Sequence, residues 1–537
     1  MKKVIKKLLA ALLAVAMVCA MAIPAFAYDT EEVRAHHSFE AFQIFKGDVT
    51  GNDIEGFKIS NVQWGKNITQ HEDFLAKLKD APTIGNLFSD ATTPQEAAAV
   101  ISQWNDSDVN SIAFARFVCN YLYSGAVDRG TSISTSGDVV EIPEDGAGYY
   151  LVVDTTNFSS GESYHAYNSF LLKVSKGKFN LQIKPKYVKP TVEKKVYDND
   201  INDISSAGGW GSSADHAINE KFKFQLIAKL PASDDRAYDY YKEYAVLFND
   251  TLSAGITFDN LDTVKIANVD GDNSKEITNY KFDDTDLHEA GHPTSFKLSI
   301  DDVKTCAAAA GLNLNDGATI TVTYTAHLND KATVNTANGS KTTENKNSVY
   351  LQYSNNPRID TSLDHTTTSE VCVYTYQLNN TKHQDSENGP VLEGAGFRLY
   401  SNEACNAEDE IKLKMNDDGT YSRDFSTEGK GVEMLSNKDG QFNVKGLDAG
   451  TYYLKETTPP TGYSACANKE IVISATHDVN HVDLSGNLST TIINKKDGGI
   501  TLPSTGGIGT TLFYVVGGGL MVAAIVLLVT KKRMENK

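Results

Sequence analysis

Alternation of apolar and polar positions along the chain predicts a mainly β protein. The segments KFKFQLIAKL and ATITVTYTAHL place apolar side chains at almost every second position, which is the period of a half-buried strand. Clusters of Asp, Asn and Gly separate such segments over residues 189–496, as expected for turns between short strands. The pattern predicts tandem β-sandwich domains of the immunoglobulin-like type.

The first part of the chain adds helices to this pattern. Thr92 and Thr93 precede Pro94, a combination typical of a helix cap and first turn. A second amphipathic run, SIAFARFVCNYLYSG, ends at Gly125, and strands return in GYYLVVD and YNSFLLKV. We therefore expect an N-terminal domain with added helices.

Both ends of the chain look like targeting segments. A lysine-rich start, an apolar run and Ala-Phe-Ala at 25–27 indicate a secretory signal peptide. The apolar segment Leu512–Val529 is followed by basic residues at 531–533, which predicts a membrane-spanning helix with a cytoplasmic end. We expect an exported chain that its C-terminal segment retains transiently in the membrane.

These features divide the chain into five parts. They are the signal peptide at 1–27, an N-terminal domain at 28–188, a middle β-sandwich at 189–363, a C-terminal β-sandwich at 364–496, and a terminal segment at 497–537.

Charge and cysteine content exclude several classes of protein. The formal net charge of −19 argues against nucleic-acid binding. The six cysteines form no C-x-x-C pair, so the sequence indicates neither a zinc site nor a disulfide framework. Cys405 and Cys466 fall in one predicted domain, where a disulfide between them is possible. We expect no metal site and no cofactor.

In the C-terminal sandwich, strand alternation directs three polar side chains into the core. Glu456 shares a strand face with Tyr452 and Leu454, Lys382 follows an apolar face, and Asn494 follows another. A buried carboxyl group is costly unless it is neutral or paired. The alternatives are a reactive cluster, a buried ion pair, or unrelated surface charges.

A reactive cluster of this kind has a definite chemistry. Desolvation lowers the pKa of a lysine and raises that of a glutamic acid, so that both can be neutral at pH 7. The neutral amine of Lys382 can then attack the side-chain carbonyl of Asn494 while Glu456 polarises it, which releases ammonia. Effective molarities of about 10⁵–10⁸ M favour such reactions between groups held in place.

The middle sandwich has a similar arrangement of residue types. Lys194, Asp250 and Asn347 each share a strand face with apolar neighbours, in TVEKKV, VLFND and NSVYLQYS. Lys195 is the alternative amine, but alternation places it on the opposite face. In the N-terminal domain, Val153 stands where Glu456 stands in its own strand, so we expect no cross-link there.

These motifs resemble those of Gram-positive pilins. TKHQDSENGPVLEGAGFRLY, YYLKETTPPTGY and IINKK are similar to collagen-adhesin B-type domains, and the middle segments resemble the isopeptide-forming domain of backbone pilins. The resemblance implies collagen-adhesin A/B-type sandwiches with Lys194–Asn347 and Lys382–Asn494 isopeptide bonds. Asp250 and Glu456 would each assist one reaction in their own chain, without enzymatic turnover.

A further resemblance concerns the C-terminal segment. Leu502, Pro503, Ser504, Thr505 and Gly506 precede the apolar segment and the basic tail, and this order resembles the cell-wall sorting signal of Gram-positive surface proteins. The resemblance implies that a sortase cleaves between Thr505 and Gly506 and transfers the threonine acyl group to an amine.

The amine acceptor is suggested by IKPKYVKP, at residues 183–190. This segment resembles the pilin motif, which implies a bond between Thr505 of one subunit and Lys186 of the next. Lys184 and Lys189 are the alternatives, and a solvated basic patch is the simpler interpretation.

Together the motifs are similar to those of a major (backbone) pilin of a sortase-assembled pilus. The implied partners are other copies of the chain, a class C-type pilus sortase, a housekeeping sortase, minor pilins and peptidoglycan, at the cell wall or on a surface pilus. A host ligand is possible but is not identified by the sequence. The alternative is a wall-anchored monomeric adhesin, or a minor or tip pilin that binds host tissue.

Two motifs point elsewhere. His288 to His292 reads H-E-x-x-H, but metalloprotease chemistry needs a helix, and Gly291 and Pro293 disfavour one. NVDGDNSKE lacks the sixth-position glycine and final glutamate of a calcium loop, so we expect a turn.

Overall fold

The computed structural model describes most of the chain between residues 38 and 497. The described ranges are 38–52, 56–105, 108–136, 139–142, 146–156, 170–174, 177–180, 188–199, 209–288, 292–336, 345–426, 429–486, 488–497 and 520–532. Strands dominate these ranges and form five sheets in the described part, which confirms the predicted mainly β class.

The N-terminal unit combines one sheet with three helices. The sheet order is β6-β5-β1-β3-β4-β7, and β2 pairs with β1. Thr93, one of the two cap positions that the sequence indicates, caps the second helix, and Glu96 completes a reciprocal capping box. The elements are β1 Ser38–Asn52, β2 Gly56–Trp64, α1 His71–Lys79, α2 Pro94–Ile101, α3 Val109–Leu122, β3 Ile133–Ser136, β4 Val139–Ile142, β5 Gly148–Asp154, β6 Phe170–Val174 and β7 Gly177–Asn180.

The middle unit is a sandwich of two sheets. One has the order β14-β13-β17-β11-β8-β9, and the other has the order β10-β20-β18-β12-β16-β15 with β19 on β18. The elements are β8 Thr191–Asp198, β9 Gly209–Gly211, β10 Ser213–Asp215, β11 Lys221–Leu230, β12 Val246–Leu252, β13 Ile256–Ala267, β14 Lys275–Glu276, β15 Lys281–Asp283, β16 Thr294–Ile300, α4 Val303–Ala309, β17 Ala318–Leu328, β18 Lys346–Ser354, β19 Leu363–His365 and β20 Ser369–Tyr374.

Strict alternation builds the core of this sandwich. Every second residue of β17 is buried from Ala318 to Leu328, and β11 has nearly the same pattern. Phe224, Tyr324 and Leu351 are completely buried between the sheets. Burial of such side chains stabilises the fold by about 1.5–3 kcal/mol each.

The third unit is also a two-layer β structure. Its sheets have the orders β24-β25-β27-β21-β31 and β23-β22-β28-β29-β30, with β26 on β22. Its first and last strands, β21 and β31, are parallel neighbours. The elements are β21 Tyr376–Gln384, β22 Gly396–Tyr400, β23 Glu410–Ile411, β24 Leu413–Met415, β25 Tyr421–Arg423, β26 Met434–Leu435, β27 Val444–Leu447, β28 Gly450–Thr458, β29 Lys469–His477, β30 Val482–Gly486 and β31 Ser489–Asn494.

The boundary between the two sandwiches differs from the predicted one. The sequence assigns residues from 364 onwards to the third domain, whereas β20 pairs with β18 in the middle sheet. Only Thr375 separates β20 from β21. The run VCVYTYQL reads as one strand because both halves are buried, but its halves belong to different sheets.

The C-terminal segment is described only from residue 520 to 532, as a helix. The predicted span Leu512–Val529 begins outside the described residues. Among the residues that are described, no helix is long and apolar enough to cross a membrane.

Candidate cross-linking sites

The middle sandwich brings Lys194, Asp250 and Asn347 together in its core. Lys194 lies on β8 of one sheet, whereas Asp250 on β12 and Asn347 on β18 belong to the opposite sheet. All three residues are at most 2% exposed, and the amine of Lys194 contacts the carboxylate of Asp250 directly. Strand alternation therefore places an amine, an acid and a carboxamide in one apolar layer.

The hydroxyl group of Tyr324, on β17, joins the three side chains. Lys194 Nζ lies 3.0 Å from this hydroxyl, which donates a hydrogen bond to Asp250 Oδ1 at 3.1 Å. Asn347 Nδ2 donates to the same hydroxyl, and Asn347 Oδ1 has no hydrogen-bond partner among the described residues. Rotation of the amide by 180° would instead direct its carbonyl oxygen toward Tyr324.

Burial moves the pKa values of the amine and the acid toward each other. Desolvation lowers the pKa of Lys194 to about 8, against the opposing charge of Asp250. Desolvation also raises the pKa of Asp250, against the charge of Lys194 and the hydrogen bonds of its neighbours. Both shifts favour the neutral amine and neutral acid, which are the forms that nucleophilic attack requires.

Lys195 has a different environment from its neighbour. Its side chain is 32% exposed and pairs with Glu193 at 3.3 Å on the outer face of β8. Of the two alternative amines, only Lys194 lies beside Asp250.

The third unit brings Lys382, Glu456 and Asn494 together. Lys382 Nζ donates to Asn494 Oδ1 at 2.8 Å, and Asn494 Nδ2 donates to Glu456 Oε1 at 2.6 Å. Lys382 and Asn494 lie on the adjacent strands β21 and β31, whereas Glu456 projects from β28 in the other sheet. Burial lowers the pKa of Lys382, and the charge of Glu456 opposes this shift.

The backbone of Cys466 holds the acid of this site. Its N–H donates to Glu456 Oε2 at 2.8 Å, which leaves Oε1 directed at the asparagine. The thiols of Cys405 and Cys466 are both free in the structure, so the possible disulfide is not formed. Asn468 Nδ2 donates to the sulfur of Cys405 at 3.3 Å instead.

Sequence reasoning missed Tyr324 and the Cys466 N–H. Tyr324 alternates inward with the apolar residues of β17, so its ring looks like ordinary core packing, and backbone donors have no sequence signature. The inward position of a tyrosine opposite two predicted polar core residues is the signal that could have identified it, since a buried hydroxyl needs a partner.

Several predicted residues lie outside the described residues. These are Lys186, its alternative Lys184 and the motif from Leu502 to Gly506. Lys189 is described and is exposed. His288 ends a short 3-10 turn, Thr285–His288, and residues 289–291 of the H-E-x-x-H motif are not described.

Two family models match parts of the chain. Residues 378–487 match the SpaA prealbumin-like fold domain, and residues 494–536 match the LPXTG cell wall anchor motif. No curated protein sequence matches the chain.

Solved pilin structures are similar to the chain at low sequence identity. The T6 backbone pilin of Streptococcus pyogenes is 17% identical, with 86% of this chain and 96% of that chain covered and a TM-score of 0.43. The major pilin SpaD of Corynebacterium diphtheriae is 16% identical, with 86% and 93% covered and a TM-score of 0.41. The group B streptococcus pilus 2b backbone protein is 22% identical, with 53% and 95% covered and a TM-score of 0.38.

The first matched model covers most of the third sandwich, including Lys382 and Glu456 but not Asn494, and the predicted sorting motif lies within the second. The chain is thus a cell-wall surface protein that carries a SpaA-type prealbumin-like domain followed by an LPXTG cell-wall anchor.

Proposed function

We propose that the chain is a structural subunit of a covalently polymerised pilus, and that each of its two C-terminal sandwiches forms one internal Lys–Asn isopeptide bond. The observation that carries the proposal is the repeated burial of a lysine, an acid and an asparagine within contact distance. A buried lysine is rare unless it is paired or functional, and two such clusters in one wall-anchored chain favour a shared chemical role.

In the middle sandwich the proposed reaction begins with proton transfer within the Lys194–Asp250 pair. The neutral amine attacks Cγ of Asn347, and the protonated Asp250 polarises the carbonyl. The new Nζ–Cγ bond forms as the Cγ–Nδ2 bond breaks, and the proton lost by the amine leaves on ammonia. Tyr324 lies between the groups and can relay a hydrogen bond to the carbonyl.

In the third sandwich the reacting atoms are already adjacent. Lys382 attacks Cγ of Asn494, and Glu456 transfers a proton from the amine to the departing Nδ2. The hydrogen bond between Asn494 Nδ2 and Glu456 Oε1 aims the acid at the leaving group. Each reaction occurs once, between side chains of the same chain, and regenerates its carboxyl group. The chain therefore has no enzymatic turnover.

Polymerisation is proposed through Thr505 and Lys186 of successive subunits. The match of residues 494–536 to a wall-anchor motif supports the threonine end. The amine end rests on the IKPKYVKP motif, which stands in the sequence between β7 and β8.

Immunoblots of cell-wall extracts test the proposed polymer. A backbone subunit gives a ladder of high-mass bands that survives boiling in detergent, and Lys186→Ala reduces it to monomer. Lys184→Ala and Lys189→Ala are matched controls in the same segment and leave the ladder intact. A single monomer band in the unmodified strain would favour a wall-anchored adhesin, and a ladder that persists in Lys186→Ala would refute this linking lysine.

A further inference from the structure

A second buried polar cluster lies where the two sandwiches meet. Asp198 ends β8 and Asp215 ends β10 in the middle unit, whereas His477 ends β29 in the third. These residues are at most 4% exposed. One donor atom from each lies within 4.8 Å of the others. Neither cross-linking site uses these side chains.

The spacing of the donor atoms is too long for hydrogen bonds. His477 Nε2 lies 3.7 Å from Asp198 Oδ2 and 3.8 Å from Asp215 Oδ2, whereas N–H···O bonds have lengths of about 2.7–3.2 Å. Two donors bound at about 2.1 Å to one tetrahedral ion lie about 3.4 Å apart. A small decrease in the distances between these donor atoms would therefore allow all three to bind one ion.

Neighbouring groups hold these side chains in the orientation that a metal requires. Ser213 Oγ lies 2.9 Å from His477 Nδ1 and 3.4 Å from the His477 carbonyl oxygen. Because the hydroxyl donates its one hydrogen to that carbonyl, it accepts from Nδ1–H, and this hydrogen bond leaves Nε2 directed toward the carboxylates. Such outer hydrogen bonds commonly fix the tautomer of metal-binding histidines.

The charges at this junction also call for a cation. Tyr376 donates to Asp215 Oδ2 at 2.8 Å, while Asp215 Oδ1 is buried with no hydrogen-bond partner among the described residues. Two buried carboxylates directed at one point repel one another unless a positive charge lies between them, which either a protonated His477 or a bound metal ion supplies. No short spacing motif marks these residues, which explains why the sequence predicts no metal site.

We propose that Asp198, Asp215 and His477 bind one divalent transition-metal ion of the Zn²⁺ class that joins the middle and third domains. The imidazole favours such an ion over Ca²⁺ or Mg²⁺, which prefer oxygen ligands alone. The two domains pack closely against each other, since a Cβ atom on Gly446 would lie 2.5 Å from the side chain of Ile218. The ion would resist separation of the two domains, and this role is independent of the proposed cross-links.

Zinc binding to the untagged full chain in detergent tests this site. After treatment with a chelator and dialysis, titration with ZnSO₄ is followed by calorimetry, and bound metal is measured by mass spectrometry. The wild-type chain binds one more zinc ion than His477→Gln or Asp215→Asn. Ser213→Ala keeps all three ligands and weakens binding by about 10–100-fold.

His481→Gln is the matched control, because His481 is exposed and lies beside Asp483 in the turn after β29. It retains the wild-type stoichiometry and affinity. Equal zinc binding by wild type and both ligand variants overturns the proposal, as does the absence of zinc binding by wild type. If the ligand variants do not fold, as judged by near-ultraviolet circular dichroism, unchanged affinity in Ser213→Ala overturns it.

Discussion

At the scale of single residues, the burial of Lys194 determines the chemistry of the middle sandwich. Its amine and the carboxyl group of Asp250 are completely excluded from solvent, and removing one partner of such a pair typically costs about 3–5 kcal/mol. An isopeptide bond replaces the buried amine by a neutral amide. The proposed bond would therefore convert a costly buried pair into a permanent link.

The unlinked lysine should make stability depend on pH. In Asn347→Ala no bond can form, and the pKa of Lys194 is about 8 in the folded chain against 10.5 in the unfolded one. Between these values the unfolded chain holds a proton that the folded chain has lost, so the free energy of unfolding rises with pH, by about 3 kcal/mol at most. Urea denaturation at pH 8 and pH 10 measures the rise.

The control for this experiment is Lys194→Met combined with Asn347→Ala, which removes the titrating amine and leaves the other groups in place. We expect the rise to be absent in the double variant. If the free energy of unfolding changed equally with pH in Asn347→Ala and in the double variant, a lowered pKa of Lys194 would be contradicted.

Tyr324→Phe should slow formation of the middle bond without removing any reacting atom. The hydroxyl contacts all three reacting side chains, and loss of one such positioned donor typically slows a reaction by about a hundredfold or more. Intact mass followed over time after expression measures the unlinked fraction. Tyr350→Phe, on the outer face of β18, is the control and links at the wild-type rate; equal rates for both variants would exclude a role for Tyr324.

At the scale of elements, the two cross-links have different geometries. The Lys194–Asn347 bond would join β8 to β18 across the two sheets of the sandwich, whereas the Lys382–Asn494 bond would join the parallel neighbours β21 and β31. Since β21 and β31 are the first and last strands of their domain, the proposed bond would carry tension along the chain from Lys382 to Asn494. Residues 383–493 would then bear no load.

Force spectroscopy on the end-tethered full chain measures this protection. The linked third domain cannot lengthen by unfolding, whereas Lys382→Ala gains roughly 400 Å of contour length at about 3.6 Å per residue of the released stretch. Lys496→Ala, an exposed lysine two residues after Asn494, is the control and shows no added length. The same long step in the wild-type chain would contradict a bond across this domain.

Much of the fold and of both sites follows from strand periodicity. The sequence places three side chains, Lys194, Asp250 and Asn347, in one core because each continues an apolar strand face. The same two-residue period puts Lys195 on the opposite face from Lys194. Two of the three described helices of the first domain were predictable, since Thr93 and Pro94 mark the start of α2 and an amphipathic run marks α3, whereas α1 was not predicted. These signals are local, and alternation fixes which side chains point inward.

Features that depend on long-range packing were not predictable. The division between β20 and β21 was missed because both strands are apolar and only pairing partners distinguish them. The proposed metal site combines three strands from two domains, so its residues have no shared spacing. Tyr324 was missed because an inward tyrosine is usually a packing residue.

At the scale of the whole molecule, the proposed links between residues 188 and 497 follow one another along the chain. One proposed cross-link closes each sandwich, the proposed metal site lies between the sandwiches, and a single residue separates the last strand of one from the first strand of the next. By analogy with a disulfide, each proposed cross-link would stabilise its domain by ~2–4 kcal/mol. With these links in place, the described part of the chain would transmit tension with little extension.

The intact mass of the full chain decides whether the internal bonds exist. The wild-type chain should weigh less than its sequence requires by two ammonia molecules, and Lys194→Ala and Lys382→Ala should each show a deficit of one. Lys195→Ala should keep both. A wild-type mass equal to that of the unmodified sequence would contradict the proposed cross-links in both domains.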